Sequence, residues 1–148
     1  MVRFKNRYFT TEIVPLDADR IRKPLNITTY DIVKSVLAVT EQIHGEFGAA
    51  SIRNGLEVKY CDNSTQIAVI RCRHGPHRLL ASSLPFLSNI GKNKVQIQSM
   101  YTGATLVKCF KFLKKFHQQK IEEALEGCRT DAEKKKVLET MSKTKYEL

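Results

Sequence analysis

Leu56-Glu57-Val58-Lys59-Tyr60, then Asp62-Asn63-Ser64, then Thr65-Gln66-Ile67-Ala68-Val69-Ile70-Arg71-Cys72-Arg73 form the stretch on which the fold turns. In the first run Leu56, Val58 and Tyr60 alternate with Glu57 and Lys59, the period of a strand with one face in water. Asp62-Asn63-Ser64 supplies short polar side chains that bond back to their own backbone in tight turns. The second run is apolar from Ile67 through Ile70, so both of its faces need cover, and it is expected to be a central strand. Arg71 and Arg73 then carry one face of it into a basic tip. A hairpin with a buried return strand therefore sits in the middle of the chain.

Upstream, residues 2–14 read as a strand rich in aromatic and β-branched residues and stopped by Pro15. On it Arg3, Lys5 and Arg7 share one face, and Val2, Phe4 and Tyr8 take the other. A polar loop with Asp17, Asp19 and Arg20 runs to Pro24. Thr28 with Asp31 makes a capping pattern, and Ile32, Val33, Val36, Leu37, Thr40 and Ile43 recur at helical spacing. Gly45 is expected to end that helix and Gly48 to mark another turn. Downstream, Gly75-Pro76 breaks the hairpin and a short helix runs from about His77 to Leu87. Gly91-Lys92-Asn93 reads as a loop, and Val95 to Tyr101 as a fourth strand. An amphipathic helix opens at Gly103, with Leu106, Cys109, Phe110, Leu113 and Phe116 opposite Lys108, Lys111 and Lys115, and Gly127 closes it. A charged helix from about Asp131 to Lys143 follows, with Val137, Leu138 and Met141 as its thin apolar side.

The order is β-α-β-β-α-β with added C-terminal helices. The expected fold class is α+β, an RRM-like or ferredoxin-like sandwich with a four-stranded antiparallel sheet. Residues 1–128 are expected to form that domain and residues 129–148 a charged C-terminal helix. Such folds host enzymes and binding modules alike, so function has to come from a site.

The chain has 148 residues and a formal charge of +10, with 42% hydrophobic and 27% charged residues, the balance of an ordinary globular protein. No stretch approaches the roughly 18 apolar residues of a membrane-spanning helix. The start lacks the apolar core of a signal peptide, so secretion is not expected. Charge is unevenly placed: from Asn63 to Ile121 there is no Asp or Glu, against ten Lys and Arg. A one-signed surface repels itself unless an anion covers it, with nucleic acid the first suspect and a membrane surface the second.

Cys61, Cys72, Cys109 and Cys128 have no paired spacing and read as reduced, mostly buried thiols. Cys72, His74 and His77 lie close together, yet no second ligand pair follows at a finger-like distance, so no metal site is expected. The Arg3, Lys5, Arg7 stripe suits phosphate contact; its structural alternative is an edge strand protected by charge. The Lys108, Lys111, Lys115 stripe suits RNA or partner contact, against the plain solvated face of an amphipathic helix. The turn Thr102-Gly103-Ala104-Thr105 precedes that helix, where free N–H groups can meet phosphate or simply be capped. Ala68 to Arg73 carries none of the aromatics with which an RRM sheet stacks bases, so RNA would be held by charge and shape. Paired carboxylates are missing from the basic half, which leaves catalysis by the chain alone little to stand on.

Met1-Val2-Arg3-Phe4-Lys5-Asn6-Arg7-Tyr8, His44-Gly45-Glu46-Phe47-Gly48-Ala49-Ala50, Val69-Ile70-Arg71-Cys72-Arg73, Ser83-Leu84-Pro85-Phe86 and Gly103-Ala104-Thr105 with Cys109 occur in this order. Together they resemble the Pop-type protein subunits of eukaryotic ribonuclease P and ribonuclease MRP. One departure is Val107, where the family often carries a basic residue. The resemblance implies a non-catalytic subunit that binds and stabilises the catalytic RNA, with magnesium on that RNA and no cofactor in the protein. It implies 5′-leader removal from precursor tRNA, contacted indirectly, and rRNA processing in the MRP particle. Implied partners are the RNase P/MRP RNA, a TIM-barrel-like subunit and a small paralogous RRM-like subunit, with no membrane, in the nucleus and nucleolus. RNA contact is expected at Arg3, Lys5, Arg7, Tyr8, Arg71, Arg73, Gly103, Thr105, Lys108, Lys111 and Lys115. The alternatives are a small ferredoxin-like phosphohydrolase and an independent RRM-like single-stranded RNA binder.

Overall fold

A computed structural model describes residues 3–17 and 25–142, with side chains as far as Glu139. Val2, the loop residues Asp19, Arg20 and Pro24, the Met141 side chain and Lys143, all part of the sequence-based expectations, lie outside that description. The chain runs β1 (Asn6–Pro15), α1 (Thr29–Arg53), β2 (Glu57–Asp62), β3 (Ile67–Arg73), α2 (His77–Ser83), a 3₁₀ turn (Leu84–Phe86), β4 (Asn89–Ile90), β5 (Asn93–Gly103), α3 (Leu106–Glu126) and α4 (Asp131–Ser142). It forms two compact units, Met1–Thr105 and Leu106–Leu148.

In the first unit the strands lie in the order β2-β3-β1-β5-β4, and all their pairings are antiparallel. The fold is therefore α+β, as expected, but the sheet has five strands where the sequence predicts four. The extra strand is Asn89–Ile90, which turns through Gly91 and Lys92 to pair with Asn93 and Lys94. Gly91 takes φ 59 at the first corner of that turn, a position that favours glycine in a two-residue hairpin. A two-residue strand is too short to show periodicity, so its sequence reads as loop.

β1 sits between β3 and β5 and is not an edge strand. The basic residues at its start therefore have no edge to protect. β3 is central, as its apolar run predicts: Ile67, Ala68, Val69 and Ile70 are all buried. Ala68, Ile70 and Cys72 of β3 join Phe9 and Ile13 of β1, Val95 and Ile97 of β5, Ile32, Val36 and Ile52 of α1, and Leu80 of α2 in one core. Burying an aliphatic or aromatic side chain of this size contributes about 1.5–3 kcal/mol, so this layer outweighs any surface pairing in the unit. The hairpin turn is locked by Asp62 Oδ1, which accepts from Ser64 N at 2.9 Å and Ser64 Oγ at 2.6 Å. Asn63 clamps it to the chain before α1, accepting from Ile27 N and donating to Ile27 O, both at 3.2 Å.

The expected capping box forms. Asp31 N donates to Thr28 Oγ1 and Thr28 N to Asp31 Oδ2, each at 3.2 Å. Gly45 does break the helical path, with φ 75 and ψ −175, yet helix resumes beyond it and runs to Arg53. Gly48 is not a turn. It lies buried inside α1, where a Cβ would collide with that of His44. The expected helix from His77 to Leu87 stops at Ser83 and tightens into the 3₁₀ turn, because Pro85 has no N–H to continue an α-helix.

In the second unit α3 buries Cys109, Phe110 and Leu113, and α4 packs back on α3. A 100° step per residue puts Lys108, Lys111 and Lys115 on the opposite face, and all three are exposed.

Candidate nucleic-acid interface

Strand register decides which basic residues meet. Asn6 pairs with Arg73, Arg7 with Cys72 and Tyr8 with Arg71. Across the other edge of β1, Tyr8 pairs with Gly103. The β1–β3 ladder runs past the strand, because His74 N donates to Lys5 O at 2.8 Å. The start of β1, the end of β3 and the end of β5 therefore share one end of the sheet. Arg3, Lys5, Arg7, Tyr8, Arg71, Arg73 and Gly103 gather there, with Thr105 two residues beyond Gly103. Lys108, Lys111 and Lys115 belong to the other unit.

Alternation sends neighbouring residues to opposite faces of that end. Arg7 follows Phe9 to the helix side, where its charge reaches His77 at the start of α2. Tyr8, Arg71 and Arg73 take the other side.

Arg71 and Arg73 are spaced alike but engaged differently. Arg71 Nη2 lies 2.8 Å from Glu57 Oε2, and its Nε donates to Gly55 O at 3.3 Å. Lys59 Nζ shares the same Glu57 oxygen at 2.8 Å. The hydrogen bond from Lys59 holds the Glu57 carboxyl below its ordinary value; burial opposes this, and the charges of Arg71 and Lys59 add to it. Arg73 instead lies over the Phe4 ring, its guanidinium carbon 4.4 Å from the centroid. Its stem crosses Gly55 so closely that a Cβ there would sit 2.8 Å from Arg73 Cγ and 3.0 Å from Nε. Gly55 also holds φ 92, so the α1–β2 turn places a glycine where the arginine needs clearance.

His74 and His77 stack 4.9 Å apart beside this cluster, and His77 Nδ1 accepts from Gly75 N at 3.0 Å. Burial, then the like charges of His74, Arg7 and Arg78, push the His77 pKa down. Cys72 does not join the histidines. Its side chain is in the core, and burial pushes the thiol up to about 11. Among the described residues no three His, Cys, Asp or Glu side chains converge as metal ligands.

Sequence reasoning missed the exposure of Phe4 and the role of Gly55, and it grouped His74 and His77 with Cys72 where the structure stacks the two histidines alone. Phe4 reads as an apolar-face residue by alternation, yet it is 75% exposed. Gly55 has no local pattern that ties it to Arg73. The one available signal was the combination of an aromatic residue among cations with no acid between positions 1 and 11.

An antiparallel sheet that collects arginine, lysine and aromatic side chains at one end of its strands defines a class of small basic α+β proteins. Within it, this chain belongs to the Rpp14/Pop5 family, whose model matches residues 7–114. It is 34% identical to the Danio rerio protein named ribonuclease P/MRP protein subunit POP5, over 93% of this chain and 83% of the relative. The Homo sapiens protein of the same name is 30% identical, over 97% of this chain and 89% of the relative. A chain in the cryo-EM structure of yeast ribonuclease MRP shares the fold, with a TM-score of 0.50 at 14% identity, covering 83% of this chain and 96% of that one.

Proposed function

We infer that this chain is a protein subunit of the ribonuclease P and ribonuclease MRP ribonucleoproteins, without a catalytic group of its own. It binds and stabilises the RNA that carries out processing of precursor tRNA and, in the MRP particle, of rRNA. Family membership over most of the chain supports the assignment. The observation that carries the RNA contact is that the β1–β3 register brings Arg7 and Arg73 to one end of the sheet, with the exposed Arg3 and Lys5 in the segment leading into it. Tyr8, Gly103, Thr105, Lys108, Lys111 and Lys115 extend the proposed contact set, while Arg71 serves partly to hold Glu57. Magnesium belongs to the RNA.

The first unit is read as RRM-like. The order β2-β3-β1-β5 with α1 and α2 on one face supports that reading, and β4 is then an addition to it. A TIM-barrel-like subunit and a small RRM-like paralogue are the proposed protein partners, and the nucleus and nucleolus the proposed compartments.

The test is titration of transcribed ribonuclease P RNA with the full chain across a salt series. Each phosphate neutralised contributes roughly 0.7–0.9 to the slope of log K against log salt, so a steep fall is expected. A flat salt dependence overturns the assignment.

A further inference from the structure

We propose that Phe4 and Arg73 form a stacking platform for an unpaired RNA base, with the exposed Arg3 and Lys5, its neighbours in the chain, as the nearest cations in sequence for the attached phosphates. The proposal rests on the RNA-subunit reading and specifies which part of RNA that end of the sheet takes.

A phenylalanine that belonged to the core would be covered, as Phe9 is at 2% exposure five residues later. Phe4 is left 75% exposed, with a guanidinium already over its ring at 4.4 Å. An aromatic face next to a weakly hydrated planar cation is a surface on which any nucleobase can stack, because every base has a π-face. The surround is basic: Arg3 and Lys5 flank the ring in sequence and are exposed. A protein ligand for such a ring would have to be acidic around an apolar centre. A nucleotide carries the flat apolar base and the negative phosphate together.

The platform is set before its ligand arrives. Lys5 O is fixed by His74 N, which anchors the segment carrying Phe4. Arg73 leaves a strand held between β1 and β2, and its stem lies in the gap that Gly55 leaves open. Ordering both side chains in advance lowers the entropy that binding must otherwise overcome. This also answers the missing aromatics of β3. The stacking surface lies at the strand ends, while the middle of β3 is buried.

The experiment uses the full chain and three probes: oligoadenylate containing 2-aminopurine, a blunt RNA duplex of equal length, and transcribed ribonuclease P RNA. Phe4→Ala is expected to weaken oligoadenylate binding roughly 5- to 100-fold and to abolish quenching of 2-aminopurine on binding. Duplex affinity should stay within about twofold, since a duplex offers no free base face and holds through phosphate. Phe4→Trp should restore oligoadenylate binding and Phe4→Leu should not. The platform is overturned if the wild-type chain shows no 2-aminopurine quenching, if Phe4→Ala binds oligoadenylate like wild type, or if Phe4→Leu does. A steep salt slope on ribonuclease P RNA alongside any of these leaves the subunit reading standing, whereas a flat slope removes both.

Discussion

Arg71 and Glu57 face each other across the β2–β3 pair with Nη2 and Oε2 2.8 Å apart, in the register that sets Glu57 opposite Arg71. The bond is half in solvent, so its worth to stability is small. Its effect on charge is larger, since it quiets one cation in a cluster built of cations. Glu57→Gln is expected to leave the unfolding midpoint nearly unchanged. It should tighten binding to ribonuclease P RNA and steepen the salt slope by up to roughly 0.9. An affinity unchanged at low salt would show that Arg71 does not face the RNA.

Arg3→Ala, Arg7→Ala and Arg73→Ala should each weaken RNA binding more than the same change at Lys134, Lys135 or Lys136. Arg7 and Arg73 sit at one end of adjacent strands, with Arg3 just ahead of β1, and the lysines lie in α4 of the other unit. Electrophoretic titration at fixed salt compares them. Equal losses in both sets would mean that charge acts in bulk and that position is immaterial.

Gly55→Ala combines a left-handed backbone with a Cβ against the Arg73 stem. A destabilisation of about 1–2 kcal/mol is expected, read as a lower urea midpoint at unchanged m. Oligoadenylate binding should fall as well, because Arg73 has to leave its channel. Gly75→Ala also has positive φ but nothing within 4 Å of the added Cβ, so it should lower stability while sparing binding.

Acid should loosen the α1 start and the hairpin turn together. The Thr28 side-chain and backbone bonds hold Asp31 below its ordinary pKa. Burial pushes Asp62 up, but the hydrogen bonds it accepts, those from Ser64 Oγ and N among them, outweigh this and hold it low too. For a carboxylate lowered in the folded state, the added stability is present above the unfolded pKa. It is lost as pH falls through the folded one. Unfolding midpoints should therefore drop below about pH 4, and Thr28→Ala, which costs about 1 kcal/mol at neutral pH, should cost less there. A constant cost across that range would remove the cap from the account.

Native alkylation should discriminate among the cysteines. Cys72 and Cys109 are fully buried, and burial with the neighbouring Asp62 charge raises the Cys61 thiol. Iodoacetamide at pH 8 should label Cys128 first, with Cys72 labelled only after denaturation; peptide mapping reads the order. Early labelling at Cys72 would contradict its place in the core.

The sheet and helices were legible because burial imposes a period on the sequence. Ile67 to Ile70 announced a strand covered on both faces, and Leu106 to Phe116 a one-sided helix. Asn89–Ile90 escaped because two residues carry no period. The helix beyond Gly45 escaped because one glycine can bend a helix whose far side stays packed, as Ala49 and Ile52 are. Which residues carry charge was visible; that Arg7, Arg71 and Arg73 come to one end of the sheet was not. Bringing Lys5 to His74, or Gly55 under Arg73, depends on strand register and on the α1–β2 turn. Neither is written in local spacing.

The basic end of the sheet draws on residues near positions 3, 73 and 103, so it exists only in the folded chain. An unfolded chain spreads those charges along its length and offers RNA a far poorer match. RNA that prefers the folded form therefore acts as a folding ligand, adding RT ln(1 + [RNA]/Kd) to stability, about 2.7 kcal/mol at a hundredfold excess over Kd. Outside the particle, mutual repulsion of the uncovered cations works against the same fold. On the proposed function, the chain's durability is in this sense a property of its complex with RNA.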